Sequence, residues 1–433
     1  MTNGPRVLRP DRGQLYWDMV DLESQIEPGH LARVVWEFVD GLDLSELYDA
    51  IKARDDIAGR PTPDPKVLLA LWLYATLDGI GSARALERLC HSHAAYRWLR
   101  GGVPVNYHGL SDFRTLDGAM LDRLLTETVT VLVKQGLVRL DEVVVDGTKL
   151  KANAGRGSFR DGETVDKWEQ AAQARVERLK SELSSDAGAS ERRRRAAAAR
   201  AVAETARRAA EARHKLQQLR DEKAKRAKTH KKQETKKKEP VASTTDPEAR
   251  IMKMADGGFG AAYNLLLAVA PKAQIICGLE PTDRRKETGL AQPMIEQFER
   301  RYGRRPARLL VDTGLACLED IVALAAHPNG STTVYAPPTP DRANANSASV
   351  RKREWRRRNE PEAVKQWRER MASAAGQLIY ARRRLIEPVN GQLKELGLRR
   401  LTLRGFLKVR CEALLYAIAH NIRRGHVLRL AAT

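Results

Sequence analysis

Tyr380, Arg383, Glu387 and Lys394 follow one another at steps of three, four and seven residues. Those are helical steps, so the four side chains can share one face. A single carboxylate among cations, with an aromatic at one end, suits a metal ligand flanked by phosphate contacts. Pro388 leaves two geometries open: a kink inside one helix, or the first turn of a new helix with Glu387 at the positive end of its dipole. Two further acids end apolar runs. Asp146 follows Val143-Val144-Val145 and precedes Gly147, and Asp312 follows Leu309-Leu310-Val311 and precedes Thr313-Gly314. Taken singly, an Asp-Gly pair reads as a turn cap, and an aspartate after a strand often caps the next helix. Together with Glu387 they make a different set. In-line cleavage of a phosphodiester needs a deprotonated nucleophile and a stabilised leaving oxygen, and two divalent ions about 3.5–4 Å apart supply both. Magnesium takes hard oxygen ligands and keeps several waters, so three carboxylates suffice. The competing acids Asp141, Glu142, Asp256, Asp283, Glu319 and Asp320 do not end an apolar strand as clearly.

Charge points to the partner. The 433 residues carry 76 Lys and Arg against 55 Asp and Glu, a formal net charge of +21. Such a balance calls for a polyanion, nucleic acid or an anionic membrane. The sequence has no apolar run of about eighteen residues, and the start, Met1 to Gln14, is polar with Pro5 and Pro10, so neither a membrane span nor a signal peptide is expected. Cys90, Cys277, Cys317 and Cys411 are too scattered for a zinc site and suit a reducing cytosol as small apolar residues.

The elements that must position these acids can be read in outline. Up to about Val138 the pattern is helical. Asp64 is an N-cap candidate with Pro65 at the first helical position, opening an almost wholly apolar helix to Leu77. Ser82 caps a short helix from Ala83 to His91, another spans Ala94 to Leu99, and Ser111 is expected to cap a helix from Asp112 to Lys134. Short helices with glycine turns are compatible with a helix-turn-helix-like unit and equally with any small bundle. The period then changes to strands: Val143–Val145, a hairpin of Asn264–Ala270 with Gln274–Glu280, Arg308–Val311 and Thr332–Ala336, with helices near Gly289–Tyr302 and Leu318–Ala326 between them. The order is a strand, a long insertion, then β, β, α, β, α, β, α, as in a mixed α/β sheet flanked by helices. The insertion, 162–240, is rich in Ala, Arg, Lys and Glu. It reads as an antiparallel pair of charged helices broken near Ser184–Gly188, with a basic run from Lys223 to Lys238. That run is compatible with phosphate contacts or with a solvated arm. A last helix, Val409 to Arg424, places Ala413, Leu414, Ala417, Ile418 and Ile422 at helical steps.

The spacing Tyr-x2-Arg-x3-Glu-x6-Lys resembles the signature around the last acidic residue of bacterial insertion-sequence DDE transposases. Thr148-Lys149-Leu150-Lys151-Ala152-Asn153-Ala154 after Asp146 is similar to that family's first-aspartate motif. Gly257–Phe259 and Ala262–Asn264 resemble its second-strand region, and Asp312-Thr313-Gly314 its Asp-x-Gly, with Leu315 where the family usually has an aromatic residue. Gly59-Arg60-Pro61, Ala85-Leu86-Glu87 and Arg97-Trp98-Leu99 look like its N-terminal DNA-binding region, and Leu398–Gly405 like its closing segment. The resemblance implies an RNase H-like catalytic domain at 139–161 and 241–433, a helical DNA-binding domain at 1–138 and the charged helical insertion at 162–240. It implies Asp146, Asp312 and Glu387 as catalytic metal ligands for two Mg2+ ions, with Mn2+ able to substitute. It implies Tyr380, Arg383, Lys394 and Lys149 as DNA contacts. The expected activity is binding of an element's terminal inverted repeats, cleavage, and joining of 3′ ends to target DNA. The expected partner is double-stranded DNA, held by a homodimer or higher oligomer at the bacterial nucleoid in the cytoplasm. The rivals are a nuclease of the same fold without strand transfer and a catalytically inactive DNA-binding protein.

Overall fold

The computed structural model describes residues 21–51, 61–115, 118–182, 189–229, 239–339 and 347–432. Met1–Gln14, Gly59-Arg60, the helix break at Ser184–Gly188 and the last nine residues of the basic run ending at Lys238 lie outside the described residues. The first helices are α1 (Leu31–Asp40), α2 (Ser45–Asp49), α3 (Pro65–Leu77), α4 (Ala83–Ser92), α5 (Ala94–Arg100), α6 (Tyr107–Phe113) and α7 (Gly118–Lys134). Asp64 does cap α3, accepting from the Lys66 amide at 2.8 Å, and Ser82 caps α4 through the Ala85 amide. Ser111 does not cap α7. It lies inside α6, whose own cap is Asn106, accepting from the Gly109 amide at 2.8 Å. Asn106 had the better claim because it precedes the helix by one residue and its short amide reaches the third turn residue. Helix α3 is apolar all round and is buried on nearly every side, as its composition requires.

The sheet begins with β1 (Glu142–Lys151), followed by the two-residue β2 (Phe159–Arg160). Two charged helices follow, α8 (Gly162–Glu182) and α9 (Ala189–Thr229), then β3 (Ala242–Ser243), β4 (Arg250–Lys253), β5 (Phe259–Ala270) and β6 (Ile275–Thr282). Helix α10 (Ala291–Tyr302) leads to β7 (Arg308–Val311), α11 (Leu318–Ala325) to β8 (Thr333–Tyr335). The last elements are α12 (Ser347–Arg358), α13 (Glu362–Ala372), α14 (Ala374–Tyr380), a 3-10 turn (Ala381–Ile386), α15 (Glu387–Glu395) and α16 (Phe406–Leu430).

Strand β1 is central. It runs antiparallel to β5 and parallel to β7, and β7 runs parallel to β8. On its far side β5 pairs with β4 and β6 in succession, both antiparallel. The resulting path β6-β5-β1-β7-β8, with only β5 reversed, is that of an RNase H-like mixed sheet, as expected. The register of the β5–β6 hairpin shifts between Ala268 and Val269, beside the backbone of Ile276. The side-chain amide of Asn421 on α16 satisfies both of its groups, accepting at 2.9 Å and donating at 2.8 Å. Helix α16 packs on α7, α3, α1 and β6, so one apolar core joins the N-terminal helices to the sheet. The insertion has a small cluster of its own, Val165, Ala212, Leu216 and Ala242 against Trp168, where β2 and β3 pair at its root. Of the four free cysteines three are buried, and no helix among the described residues is long and apolar enough to cross a membrane.

Candidate active site

Register brings the two aspartates together. In the parallel pairing of β1 with β7, Val145 lies opposite Val311, so Asp146 and Asp312 are the next residues on neighbouring strands. Here the structure corrects one expectation. Asp146 does not end a strand at a glycine turn: β1 continues through Gly147 to Lys151, because β5 pairs with it residue by residue as far as Ala262. Only β7 stops, and Asp312 follows its last residue. Beyond Val145 the β7 side of β1 is open until Lys151, where the chain at Arg399–Leu401 closes on it through the Leu401 amide and the Lys151 carbonyl, 2.8 Å apart. The aspartates face this break in the sheet.

The segment from Tyr380 to Lys394 lies against the same break. It is not one uninterrupted α-helix. Tyr380 ends α14, Arg383 sits in the 3-10 turn, Glu387 is the first residue of α15, and Pro388 occupies its first turn. Of the two geometries open for Pro388 the second is adopted, since a proline there forfeits no helical hydrogen bond. Arg383 Nη2 lies 3.3 Å from Asp146 Oδ1 and 3.9 Å from Asp312 Oδ2, so one guanidinium serves both carboxylates. The hydroxyl of Tyr380 is held above its usual range by burial, and the charges of Arg383, Asp312 and Asp146 all act on it. Tyr380, Arg383, Asp146 and Asp312 are therefore one group. Glu387 is exposed at the N-terminus of α15, and Lys394 is exposed near the other end of that helix. Lys149 is half-buried on β1, opposite Asn264. Neither Glu387 nor Lys149 has a hydrogen bond or ion pair to the two aspartates among the described residues. The neighbouring Arg382 pairs with the buried Glu142 at 2.9 Å.

Asp146 is perturbed as well. Burial raises its pKa, Arg383 opposes the rise, and the charges of Glu287 and Asp312 add to it. Sequence pattern does not mark Glu287, because it ends no strand and stands in a polar stretch before α10. The acids weighed against the triad have other work. Asp283 is paired with Lys215 at 2.7 Å and Arg250 at 3.2 Å, Asp320 caps α11 through the Cys317 amide, Asp141 pairs with Arg139, and Asp256 with Lys151.

Among the described residues, no three His, Cys, Asp or Glu side chains are already gathered tightly enough to hold a metal ion. The donor set nonetheless suits a hard cation. Two carboxylates on adjacent strands are the oxygen donors such a cation takes, and Arg383 Nε, buried there without a hydrogen-bond partner, is a donor suited to a phosphate oxygen.

Two family models match the chain. Residues 20–116 match Transposase domain (DUF772), and residues 341–426, which include Tyr380, Arg383, Glu387 and Lys394, match the Transposase DDE domain. No curated protein and no solved structure matches it. A transposase model thus matches at each end of the chain with an RNase H-like sheet between them, an arrangement that supports an insertion-sequence DDE transposase.

Proposed function

We propose that this transposase binds the terminal inverted repeats of its own element, cleaves the DNA there and joins the freed 3′ ends to target DNA. The observation that carries the reading is that Asp146 and Asp312 directly follow the last pair of the parallel register, Val145 with Val311, and share Arg383 as an ion-pair partner. Asp146 and Asp312 would hold divalent magnesium, joined by Glu387 from the first turn of α15. When bound, such ions supply an activated oxygen nucleophile and offset the charge on the leaving oxygen. The protein's own side chains do the rest. Arg383 is a cation already placed at the carboxylates, so an arriving phosphate can take it over as a charge-assisted partner. Tyr380 beside it offers a ring for stacking on a terminal base. Lys394 and Lys149 supply phosphate contacts on either side. Exposed Arg88 and Arg97 on α4 and α5 suit the backbone of the repeat.

The test uses DNA flanking the gene. Asp146→Asn and Asp312→Asn should each reduce Mg2+-dependent cleavage to background while the mobility shift on terminal DNA persists, since they remove carboxylates and leave the phosphate-binding cations in place. Cleavage by either variant at a substantial fraction of the wild-type rate would remove that residue from the reaction. Joining of a cut end to a supercoiled target separates a transposase from a nuclease of the same fold.

A further inference from the structure

Arg383 is one of two neighbouring arginines that grip the sheet. Residues four apart on a strand lie on one face, so Glu142 shares a face of β1 with Asp146. On the next strand Arg308 stands opposite Glu142 in the parallel register, and Asp312 follows the last pair of that register beside Asp146. The result is two rungs about 13 Å apart at the usual rise of a strand. The 3-10 turn packs against both strands, and its consecutive arginines divide between the rungs. Arg383 takes Asp146 and Asp312, while Arg382 Nη1 lies 2.9 Å from Glu142 Oε2. Arg308 Nη1 lies 3.6 Å from the same oxygen. The third arginine of the run, Arg384, is exposed. Glu142 is buried, and among the described residues its Oε1 has no hydrogen-bond partner. A carboxylate so placed contributes little net stability, because its desolvation offsets most of the ion-pair energy. What the pair can contribute is geometry. The buried residue of the turn is Ile386, and one apolar anchor sets the depth of a turn without fixing its rotation. Glu142 supplies a second anchor, on the two strands that carry the aspartates.

We infer that Glu142 and Arg382 are positioning residues of the active site: their ion pair locks the 3-10 turn on the sheet, so that the next guanidinium points at Asp146 and Asp312. The inference rests on the function proposed for those aspartates. Neither Glu142 nor Arg382 acts on the reacting atoms, and both work through Arg383.

The test reads Arg383 directly and then through cleavage. In the nitrogen-15 spectrum of the arginine side chains of the full chain, the Arg383 Nε–H signal is the one missing in Arg383→Gln. Arg382→Gln should shift and broaden that signal, and Arg382→Lys, which keeps a cation for Glu142, should return most of it. Glu142→Gln should act in the same direction as Arg382→Gln. A merely structural pair would lower the melting temperature and leave the Arg383 signal in place, and that result overturns the inference. On terminal DNA with Mg2+, Arg382→Gln should lower the maximal cleavage rate by up to about 100-fold, with the DNA concentration for half-maximal rate little changed. In an Arg383→Gln background the same substitution should cause no further loss. An equal further loss there means that the pair does not act through Arg383, and it overturns the inference. If Asp146→Asn cleaves normally, the proposed function fails instead, while the Arg383 signal still decides whether the pair holds the turn. If Glu142→Gln does not fold, Arg382→Gln, at the half-buried end of the pair, decides alone.

Discussion

Asp146 is held between opposing influences. Burial and the carboxylates of Glu287 and Asp312 favour its protonated form, while the charge of Arg383 and a hydrogen bond from the Gly147 backbone favour ionisation. Removing that charge should push the carboxyl further up. In Arg383→Gln, a carbon-13 titration of the aspartate carboxyls should therefore show the Asp146 midpoint at higher pH than in the wild type. An unmoved or lower midpoint would mean that the guanidinium does not govern it. The sign matters for activity, because metal binding needs the ionised form. Apparent metal affinity should accordingly rise with pH through the Asp146 midpoint.

At the scale of elements, the insertion is the part that can be tested by removal. Its apolar residues form their own small cluster around Leu216 and Val165, apart from the main core. Lys215 ties it to Asp283 at the end of β6, and Asp283 keeps Arg250 as a second partner. Replacing 162–240 by a short Gly/Ser linker should leave the sheet folded, with a melting temperature within a few degrees of the parent. DNA binding should weaken, and the slope of log affinity against log salt should become shallower by about 0.9 for each phosphate that the arm no longer neutralises. A linker variant that does not fold would show that the arm supports the core. An unchanged salt slope would show that it does not touch DNA. Strand β1 is legible only in part from local pattern. Its β-branched start is plain, but its continuation through Asp146 and Gly147 depends on β5 as a partner, which local propensity does not encode.

Across the whole molecule, α16 is the member on which both halves rest. Its His420 is buried, donates from Nε2 to the Gln274 carbonyl at 2.8 Å, and has Arg423 and Arg424 nearby. Burial pulls its pKa from 6.5 down to about 4. In the unfolded chain the ring protonates first as pH falls, so the folded state loses stability between roughly pH 6.5 and pH 4 at up to about 1.4 kcal/mol per pH unit. His420→Phe should flatten that part of the stability–pH curve measured by denaturant unfolding. An identical slope in the variant would mean that His420 does not set the acid limit. A helix so placed also explains why residues up to Lys134 and the sheet share one core despite lying far apart in the chain.

By itself the sequence indicated the order of the main strands and the helices between them, the expectation of a polyanionic partner, and Asp146, Asp312 and Arg383 as candidates. Those rest on local pattern: β-branched runs, caps, charge and helical spacing. Only the tertiary structure decided how they meet. The parallel register of β1 with β7 sets Asp146 beside Asp312, and the 3-10 turn carries Arg383 to both. It also brought Glu287 and Asn264 together above Gly147, with a glycine leaving space for the carboxylate and a loop 26 residues away accepting the Thr288 hydroxyl. No local pattern marks such residues, because what makes them matter is the approach of strands and loops distant in the chain.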